Sequence, residues 1–236
     1  MNFSDVKCLI ILPTYNEVDN IEDVYKRIRS VSNSDILFID DGSNDGTLKK
    51  ILSIQNIDSR VFSILRDGKR GLGDAYRNAF KHAIDNSYAV VIHCDADGSH
   101  ELEKIPRMLE QFVTGFQLVI GSRYVPGGEV IGWAIHRKII SKLGNIYATI
   151  FLRTKVKDNT SGFRLYSTEI LQEIDINQAN ANGYAFQVQM TFLCRSFKLL
   201  ELPIKFVERK HGKSKMTIPI ALEALWRIPW IRLRIK

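Results

Sequence analysis

Residues 88–100 read Tyr-Ala-Val-Val-Ile-His-Cys-Asp-Ala-Asp-Gly-Ser-His. The first five residues form an apolar run that predicts a buried strand, and two carboxylates, Asp95 and Asp97, follow it closely. In an open α/β sheet, ligands bind in the crevice at the carboxyl ends of the strands. Two acids one residue apart repel each other unless a cation lies between them, and their oxygens suit Mg²⁺ or Mn²⁺. The stretch therefore predicts a strand that ends in a divalent-metal site, although a solvated acidic turn would have the same composition.

Strand and helix patterns alternate on the amino-terminal side of this stretch. The predicted strands are 7–12, 34–39, 60–65 and 88–94, and the predicted helices between them are 20–31, 47–54 and 72–85. Alternation of this kind indicates a largely parallel sheet with helices on both faces. The pattern is less regular after Asp97, with helices predicted at 102–114 and 138–152 and strands at 118–122 and 199–207. We therefore predict an α/β fold with a Rossmann-like, mostly parallel sheet flanked by helices.

The composition fits one large domain. The chain has 236 residues, of which 45% are hydrophobic, so it can bury a substantial core. No apolar run reaches the roughly 18 residues of a membrane span, and the first strand pattern begins too early for a signal peptide to precede it. Cys8, Cys94 and Cys194 are odd in number and far apart, which fits neither a zinc site nor a disulfide framework. We expect buried free thiols and a reducing, cytoplasmic compartment.

The chain is basic, with a net charge of +7 and a pI near 9.3. Basic proteins meet nucleic acids, anionic membranes or phosphorylated substrates, and no nucleic-acid-binding motif is present. Residues 224–236 interleave Trp, Ile and Leu with Arg and Lys, a composition that suits a membrane interface. An ordinary amphipathic tail that packs on the domain is the alternative, since Pro229 interrupts any long helix.

Four further turn-like segments have polar residues that suit ligand binding. They are 13–17 (Pro-Thr-Tyr-Asn-Glu), 40–47 (Asp-Asp-Gly-Ser-Asn-Asp-Gly-Thr), 121–124 (Gly-Ser-Arg-Tyr) and 208–215 (Glu-Arg-Lys-His-Gly-Lys-Ser-Lys). The first two offer an aromatic ring and acids for a base or ribose, and the last two offer cations for phosphate. Each also has a plainer interpretation as a capped turn or a solvated face. No Gly-x-Gly-x-x-Gly follows the first strand, which argues against a dinucleotide site.

The order of these motifs resembles that of the inverting glycosyltransferases of family 2, which have the GT-A fold. It resembles more narrowly that of the dolichol-phosphate (polyprenyl-phosphate) mannosyltransferases, over roughly residues 6–216. The narrower resemblance depends on segments 132–133, 137–141, 160–166 and 206–209. It implies a GT-A catalytic domain over residues 1–216. The basic amphipathic segment that follows, 217–236, is a candidate for contact with a membrane interface because of its composition.

The resemblance also implies a role for each matching residue. The nucleotide would be bound by Pro13, Tyr15, Glu17, Ile39, Asp41, Asp95, Ala96, Arg209 and Lys215. The metal would be bound by Asp95, Asp97 and Ser99, and the acceptor phosphate by Arg123, Arg137 and Ser141. Asp97, Arg123 and Arg209 would take part in catalysis. Ser99 stands where many relatives have a glutamine ligand to the metal, a difference that some members share.

The implied reaction is the transfer of mannose from GDP-mannose to dolichyl or polyprenyl phosphate, with inversion and with Mg²⁺ or Mn²⁺ as cofactor. A phosphate acceptor is already largely anionic at neutral pH, so no general base is needed, and cations must offset the charge between two anions. The chain ends without the transmembrane helices that some relatives have. We therefore expect a peripheral protein at the cytoplasmic membrane face, or one that needs a membrane-protein partner.

Two other functions remain open at this point. A UDP-glucose or UDP-N-acetylhexosamine donor would leave the fold and the lipid acceptor unchanged, because sugar choice depends on a few hydroxyl contacts. A catalytically silent protein that binds lipid phosphate would be expected to lack the acidic pair or the basic loop, and both are present in this chain.

Overall fold

The computed structural model describes residues 3–68, 71–181, 183–209 and 228–232. The strands of the main sheet are β1 (Cys8–Thr14), β2 (Asp35–Asp40), β3 (Val61–Leu65), β4 (Val90–His93), β5 (Leu118–Ser122), β7 (Arg164–Ser167) and β8 (Leu199–Pro203). A second, two-stranded sheet pairs β6 (Glu129–Ile131) with β9 (Lys205–Val207). The order in the main sheet is β3-β2-β1-β4-β7-β5-β8, and β7 is its one antiparallel member among the described residues. The predicted mostly parallel sheet is confirmed.

Helices cover both faces of the main sheet. They are α1 (Val18–Val31), α2 (Thr47–Gln55), α3 (Leu72–Asp85), α4 (Ile105–Val113), α5 (Ile135–Leu152), α6 (Thr168–Glu173) and α7 (Tyr184–Leu193). Successive side chains of a strand point to opposite faces, so Leu9 and Ile11 pack with α3, α5, α6 and α7. Ile10 and Leu12 pack with α1, α2 and α4 on the other face.

Two predicted strand boundaries were wrong for identifiable reasons. Strand β1 continues through Pro13 instead of ending there. The carbonyl of Ile11 accepts from Cys94 N, so the backbone groups of Ile11, and of Pro13 two residues later, point toward β4. Pro13 lies beyond the last residue of β1 that pairs with β4, so its missing N–H costs no hydrogen bond of the sheet. The predicted strand 199–207 is two strands, because the chain leaves the main sheet at Ile204 and joins β6. Strand β7 and helices α6 and α7 were not predicted.

The predicted carboxyl-terminal segment 217–236 lies mostly outside the described residues. In its described part, Ile228 and Ile231 pack into the core, and the guanidinium of Arg232 donates to the Phe151 carbonyl at 3.2 Å. All three cysteines are buried and free, as predicted. No helix within the described ranges is both long and apolar enough to cross a bilayer.

Candidate active site

The carboxyl ends of β1, β2 and β4 lie side by side, because the three strands are parallel neighbours. Segments 13–17, 40–47 and 95–99 follow these strands and therefore meet at one edge of the sheet. Asp41 N donates to the Thr14 carbonyl at 3.0 Å and joins the first two segments directly. The structure thus brings three of the polar segments that the sequence singled out to one edge of the sheet.

Segments 13–17 and 40–47 are fixed to one another by short hydrogen bonds. Asn16 N donates to Ser43 Oγ and Glu17 N donates to Thr47 Oγ1, both at 2.9 Å. Asp40 is fully buried and accepts hydrogen bonds from the backbone N–H and the hydroxyl of Ser43. Tyr15 and Glu17, two predicted nucleotide contacts, are partly exposed beside these turns. These hydrogen bonds hold the two turns in a fixed arrangement at the sheet edge, where a ligand could bind.

Asp41, the predicted base-binding acid, is held by a residue that the sequence analysis did not single out. Arg66 Nη1 lies 2.7 Å from Asp41 Oδ1, and Arg66 Nη2 lies 2.6 Å from Asp74 Oδ2. Arg66 is buried directly after β3, and its own N–H donates to the Asp40 carbonyl. Its position directly after a predicted strand was the one feature of the sequence that could have indicated a place in the site.

Two predicted nucleotide contacts have side chains that are unavailable to a ligand. Ile39 is fully buried in the hydrophobic core, and Ala96 is buried in the core on the other face of the sheet. Strand β2 alternates its side chains between the two faces, which directs Ile39 away from the sheet edge. Any nucleotide contact at Ile39 or Ala96 would therefore have to involve the backbone, and both contacts stay predictions. Pro13, within β1, is partly exposed.

The acidic pair has one exposed and one enclosed carboxylate. The side chain of Asp95 is 39% exposed, whereas that of Asp97 is 4% exposed. Asp97 Oδ1 accepts from Ser99 N at 3.0 Å, and Asp97 Oδ2 lies 2.7 Å from Arg209 Nη2. The hydroxyl of Ser99 is buried and has no partner among the described residues.

These donors fit a hard divalent ion. Asp95, Asp97 and Ser99 offer only oxygen atoms, and the unpartnered hydroxyl of Ser99 leaves a lone pair available. Within the described ranges, no group of three His, Cys, Asp or Glu residues could hold a metal alone. Substrate oxygens and water would therefore have to complete the coordination, as is usual for Mg²⁺ beside phosphates. The metal assignment of these three residues stays a prediction.

Strand β9 brings Arg209 to the acidic pair. Val207 N donates to the Ser99 carbonyl at 3.0 Å, and Glu208 N donates to the Ile131 carbonyl at 2.9 Å. Arg209 follows directly and reaches Asp97. The structure places Arg209 beside the metal segment, and its contact with the nucleotide stays a prediction. Lys215 lies outside the described residues.

Arg123 is placed differently from its predicted phosphate-contacting role. Its guanidinium is buried and binds Asp158 through Nε at 2.8 Å and Nη2 at 2.7 Å. Burial alone would lower the pKa of Arg123, but the charge and hydrogen bonds of Asp158 outweigh it and raise that pKa. The ion pair fixes the loop that contains Asp158 and Thr160 against the end of β5. In this arrangement Arg123 supports the site and does not offer a free cation to phosphate.

The two remaining predicted acceptor residues lie near the start of α5. Arg137 Nη1 lies 2.9 Å from Glu208 Oε1, and its guanidinium lies 3.8 Å from the ring centroid of Trp133. Ser141 is buried, and its Oγ accepts from the Tyr124 hydroxyl at 2.7 Å. Because Glu208 precedes Arg209, Arg137 lies next to the loop that reaches Asp97. The structure brings this cation to the site, and its contact with phosphate stays a prediction.

His100 and Tyr184 also border the acidic pair, and neither was predicted from the sequence to belong to the site. His100 Nδ1 accepts from Asp95 N at 3.1 Å, and its ring stacks on Phe163. Burial lowers the pKa of His100 to about 4, so the ring is neutral at neutral pH. Burial and the charge of Asp95 raise the pKa of Tyr184. The charges of Arg123, Arg137 and Arg209 oppose this rise. Tyr184 begins α7, an element that the sequence pattern did not predict.

This chain has the fold and the site of a glycosyltransferase with a GT-A-like fold. The defining features are the mostly parallel sheet, the two turns joined at its edge, and the Asp-x-Asp pair with arginines around it. The chain belongs to glycosyl transferase family 2, whose sequence profile matches residues 9–175. It is 41% identical to an undecaprenyl-phosphate mannosyltransferase of Micrococcus luteus over 93% of this chain and 91% of the relative. It is 39% identical to a polyprenol monophosphomannose synthase of Mycolicibacterium smegmatis over 94% of this chain and 85% of the relative.

Solved structures share the fold. Glucosyl-3-phosphoglycerate synthase of Mycobacterium tuberculosis, in complex with Mn²⁺, UDP and glucosyl-3-phosphoglycerate, superimposes with a TM-score of 0.65 at 17% identity, over 98% of this chain and 78% of that chain. A mannosyltransferase of Pyrobaculum calidifontis, in complex with GDP-mannose and Mn²⁺, gives a TM-score of 0.60 at 13% identity, over 98% of this chain and 73% of that chain.

Proposed function

We propose that this enzyme transfers mannose from GDP-mannose to a polyprenyl phosphate, with inversion, and uses Mg²⁺ or Mn²⁺. The observation that carries the proposal is the pairing of Arg209 with Asp97, beside Arg137, at the strand end that bears both acids. At this strand end, carboxylates that could bind a metal ion lie beside arginines that could bind phosphate. A reaction between two phosphorylated substrates requires both kinds of group. The names of the two relatives at 41% and 39% identity support mannose as the sugar and a polyprenyl phosphate as the acceptor.

The residues of the site suggest how the charges are balanced. A divalent ion held by Asp95 and Asp97, with Ser99 beside them, would neutralise the leaving diphosphate. Arg209 pairs with Asp97 in this conformation. With Asp97 bound to a divalent ion, Arg209 would be available to meet a donor phosphate. Arg137, held by Glu208, would meet the acceptor phosphate. Because that phosphate is already largely anionic, no side chain has to remove its proton.

Transfer to an extractable lipid tests the proposal. The full chain would be incubated with labelled GDP-mannose, Mg²⁺ or Mn²⁺ and a short polyprenyl phosphate, and the label in the organic phase would be measured. We expect lipid-linked mannose that disappears when a chelator is added. Labelled UDP-glucose and UDP-N-acetylglucosamine serve as matched donors. Efficient transfer from either of them, with none from GDP-mannose, would contradict the proposed donor.

Arg66 is expected to tune nucleotide affinity through Asp41. The Arg66→Gln variant removes the cation that orients Asp41, so we expect the Kd for GDP to rise about tenfold, the value of one charge-assisted hydrogen bond. The matched control is Arg77→Gln, because Arg77 contacts Asp74 at 3.3 Å but not Asp41. Calorimetric titration of GDP measures both variants. If Arg66→Gln and Arg77→Gln bind GDP with the same Kd, Asp41 does not hold the base.

Arg137 and Ser141 are expected to affect acceptor use more than donor binding. We expect Arg137→Ala to raise the KM for a soluble polyprenyl phosphate about tenfold or more, because a charged hydrogen-bond donor is lost, and Ser141→Ala to raise it less. The Kd for GDP should change little. Arg107→Ala, which removes an exposed cation of α4, is the control. A large loss of GDP affinity in Arg137→Ala with an unchanged acceptor KM would assign Arg137 to the donor instead.

A further inference from the structure

His100 closes the loop that carries the acidic pair. Its ring nitrogen Nδ1 accepts from the backbone N–H of Asp95 at 3.1 Å, which joins the end of the loop 95–100 to its beginning. The side chain of His100 is only 1% exposed, so this hydrogen bond is largely shielded from water. The conformation of the loop at Asp95 therefore depends on one buried side chain.

Two aromatic rings hold the plane of the His100 ring. Phe163, directly before β7, stacks on it with the ring centroids 5.4 Å and the planes 18° apart. Phe206 of β9 meets it edge to face, with the centroids 5.3 Å apart. Both are favourable geometries for neighbouring rings. These contacts fix the plane of the imidazole, and the hydrogen bond from Asp95 selects which edge of the ring faces the loop.

The hydrogen bond also sets the tautomer of His100. A ring nitrogen that accepts a hydrogen bond carries no proton, so the proton of the ring lies on Nε2. Nε2 is 3.8 Å from Asp95 Oδ2, too far for a direct hydrogen bond. The partial positive charge of the Nε2–H group nevertheless lies near that carboxylate. One uncharged ring thus contacts the backbone of Asp95 and borders its side chain.

Gly162 packs against the same carboxylate. A Cβ atom at this position would come within 3.3 Å of Asp95 Oδ1, 3.4 Å of Asp95 Oδ2 and 3.5 Å of His100 Cε1. The neighbouring residue Ser161 donates to the Gly121 carbonyl at 2.5 Å and so anchors this backbone to β5. The carboxylate of Asp95 is 39% exposed, but it is confined where His100 and Gly162 lie.

Helix α1 and strand β9 hold the rest of the loop. Arg27 of α1 donates to the carbonyls of Gly98 at 3.0 Å and His100 at 2.9 Å. Val207 of β9 donates to the Ser99 carbonyl at 3.0 Å. The backbone that carries His100 is therefore fixed by two neighbouring elements, and the ring transmits this constraint to Asp95. Support of this kind orients the residues that bind a metal ion.

We propose that His100 is a positioning residue that holds Asp95 in the orientation in which it binds the divalent ion. This role rests on the proposed function, because it requires that the acidic pair binds a metal ion beside the donor diphosphate. An uncharged acceptor suits the position. A carboxylate there would add a third negative charge beside Asp95 and Asp97, and the cation of a lysine or arginine has no acceptor to offer.

Titration of Mn²⁺ into the full chain in the presence of GDP tests this role. His100→Leu removes the acceptor and keeps an apolar side chain between the aromatic rings. We expect it to weaken Mn²⁺ binding about tenfold or more, the usual effect of losing a residue that orients a metal ligand. His100→Asn, whose Oδ1 can accept in place of Nδ1, should bind Mn²⁺ nearly as tightly as the wild type. Raising the Mn²⁺ concentration should restore much of the transfer that His100→Leu loses.

The matched control is His93→Leu. His93 is a fully buried histidine two residues before Asp95, and its ring has no hydrogen-bond partner among the described residues. Its replacement removes a buried imidazole without removing an acceptor from Asp95, so Mn²⁺ should bind as it does to the wild type. Thermal unfolding of each variant checks that the fold is kept.

The tautomer of His100 gives a readout that requires no substitution. Nitrogen NMR spectra of the wild-type protein at neutral pH should show Nδ1 without a proton and Nε2 with one. A proton on Nδ1 would exclude the hydrogen bond from Asp95 and overturn the proposed role, even if a variant failed to fold.

Three results of the titration would overturn the role of His100. Wild-type Mn²⁺ affinity in His100→Leu would show that Asp95 does not need the ring. Equal weakening in His100→Leu and His100→Asn would assign the effect to ring packing instead of the acceptor. Equal weakening in His93→Leu would make it a general effect of losing a buried imidazole. A wild type that binds no Mn²⁺ with GDP would refute the metal of the proposed function as well, whereas normal wild-type binding with an unaffected His100→Leu refutes the role of His100 alone.

Discussion

Replacement of Asp97 by asparagine is expected to lower mannosyl transfer by about 10²–10³-fold or more while the fold is retained. The change keeps the size of the side chain and removes the charge that pairs with Arg209 and that would bind a divalent ion. Asp97 is enclosed, and its other oxygen, Oδ1, accepts from Ser99 N at 3.0 Å, so the carboxylate is held in one orientation. Turnover of labelled GDP-mannose with saturating Mn²⁺ measures the loss.

Two controls make this result specific. Asp85→Asn removes an exposed carboxylate at the end of α3, which precedes the amino end of β4, whereas the site follows its carboxyl end, so turnover should be unchanged. Titration of Mn²⁺ in the presence of GDP should give weaker binding for Asp97→Asn alone. If that variant keeps substantial metal-dependent transfer, Asp97 is not the metal ligand, and the proposed use of the acidic pair is wrong.

Replacement of Asp158 by asparagine is expected to lower the free energy of unfolding by about 3–5 kcal/mol. The change leaves the buried guanidinium of Arg123 without its counter-charge, and removal of one partner from a buried ion pair costs far more than the pair itself contributes. Urea unfolding monitored by circular dichroism measures the loss. The control Glu110→Gln breaks the exposed pair with Arg107 and should change the free energy by no more than about 0.5 kcal/mol.

The pH dependence of stability gives a second readout for the same pair. Burial opposes the shift, but the charge of Arg123 and its hydrogen bonds lower the pKa of Asp158 below its ordinary value of 3.8. Its stabilising contribution is therefore present above that ordinary value and is lost as the pH falls through the lowered pKa in the folded protein. Asp158→Asn should remove this part of the acid sensitivity. An unchanged acid-unfolding profile would mean that the pair does not stabilise the fold.

A double variant distinguishes the two roles of Arg123. In Arg123→Met/Asp158→Leu both charges are gone, so no unpaired buried charge remains and much of the lost stability should return. If Arg123 only supports the loop at Asp158, this variant should keep most of its transfer activity. A stable double variant that is inactive would instead support the predicted contact of Arg123 with phosphate.

The sequence by itself was enough for the features that depend on short-range patterns. The apolar run before Asp95, the helix at 72–85, which has the predicted bounds, and the polar segments after β1, β2 and β4 all follow from local periodicity. The structure then showed that these segments meet, because parallel strands end at the same edge of the sheet. The ordered motifs were also enough to indicate the family.

Only the tertiary structure decided which side chains are paired and which are exposed. Asp158 lies 35 residues from Arg123, and Arg66 lies 25 residues from Asp41, so no local pattern could reveal that these arginines are already engaged. Strand β7 is short and antiparallel between β4 and β5, and its pairing depends on long-range contacts that periodicity does not record. The sequence predicted a helix at 138–152, but only the packing of Ala148 and Leu152 showed which of its sides faces the domain, because a helix can bury only one face against a sheet.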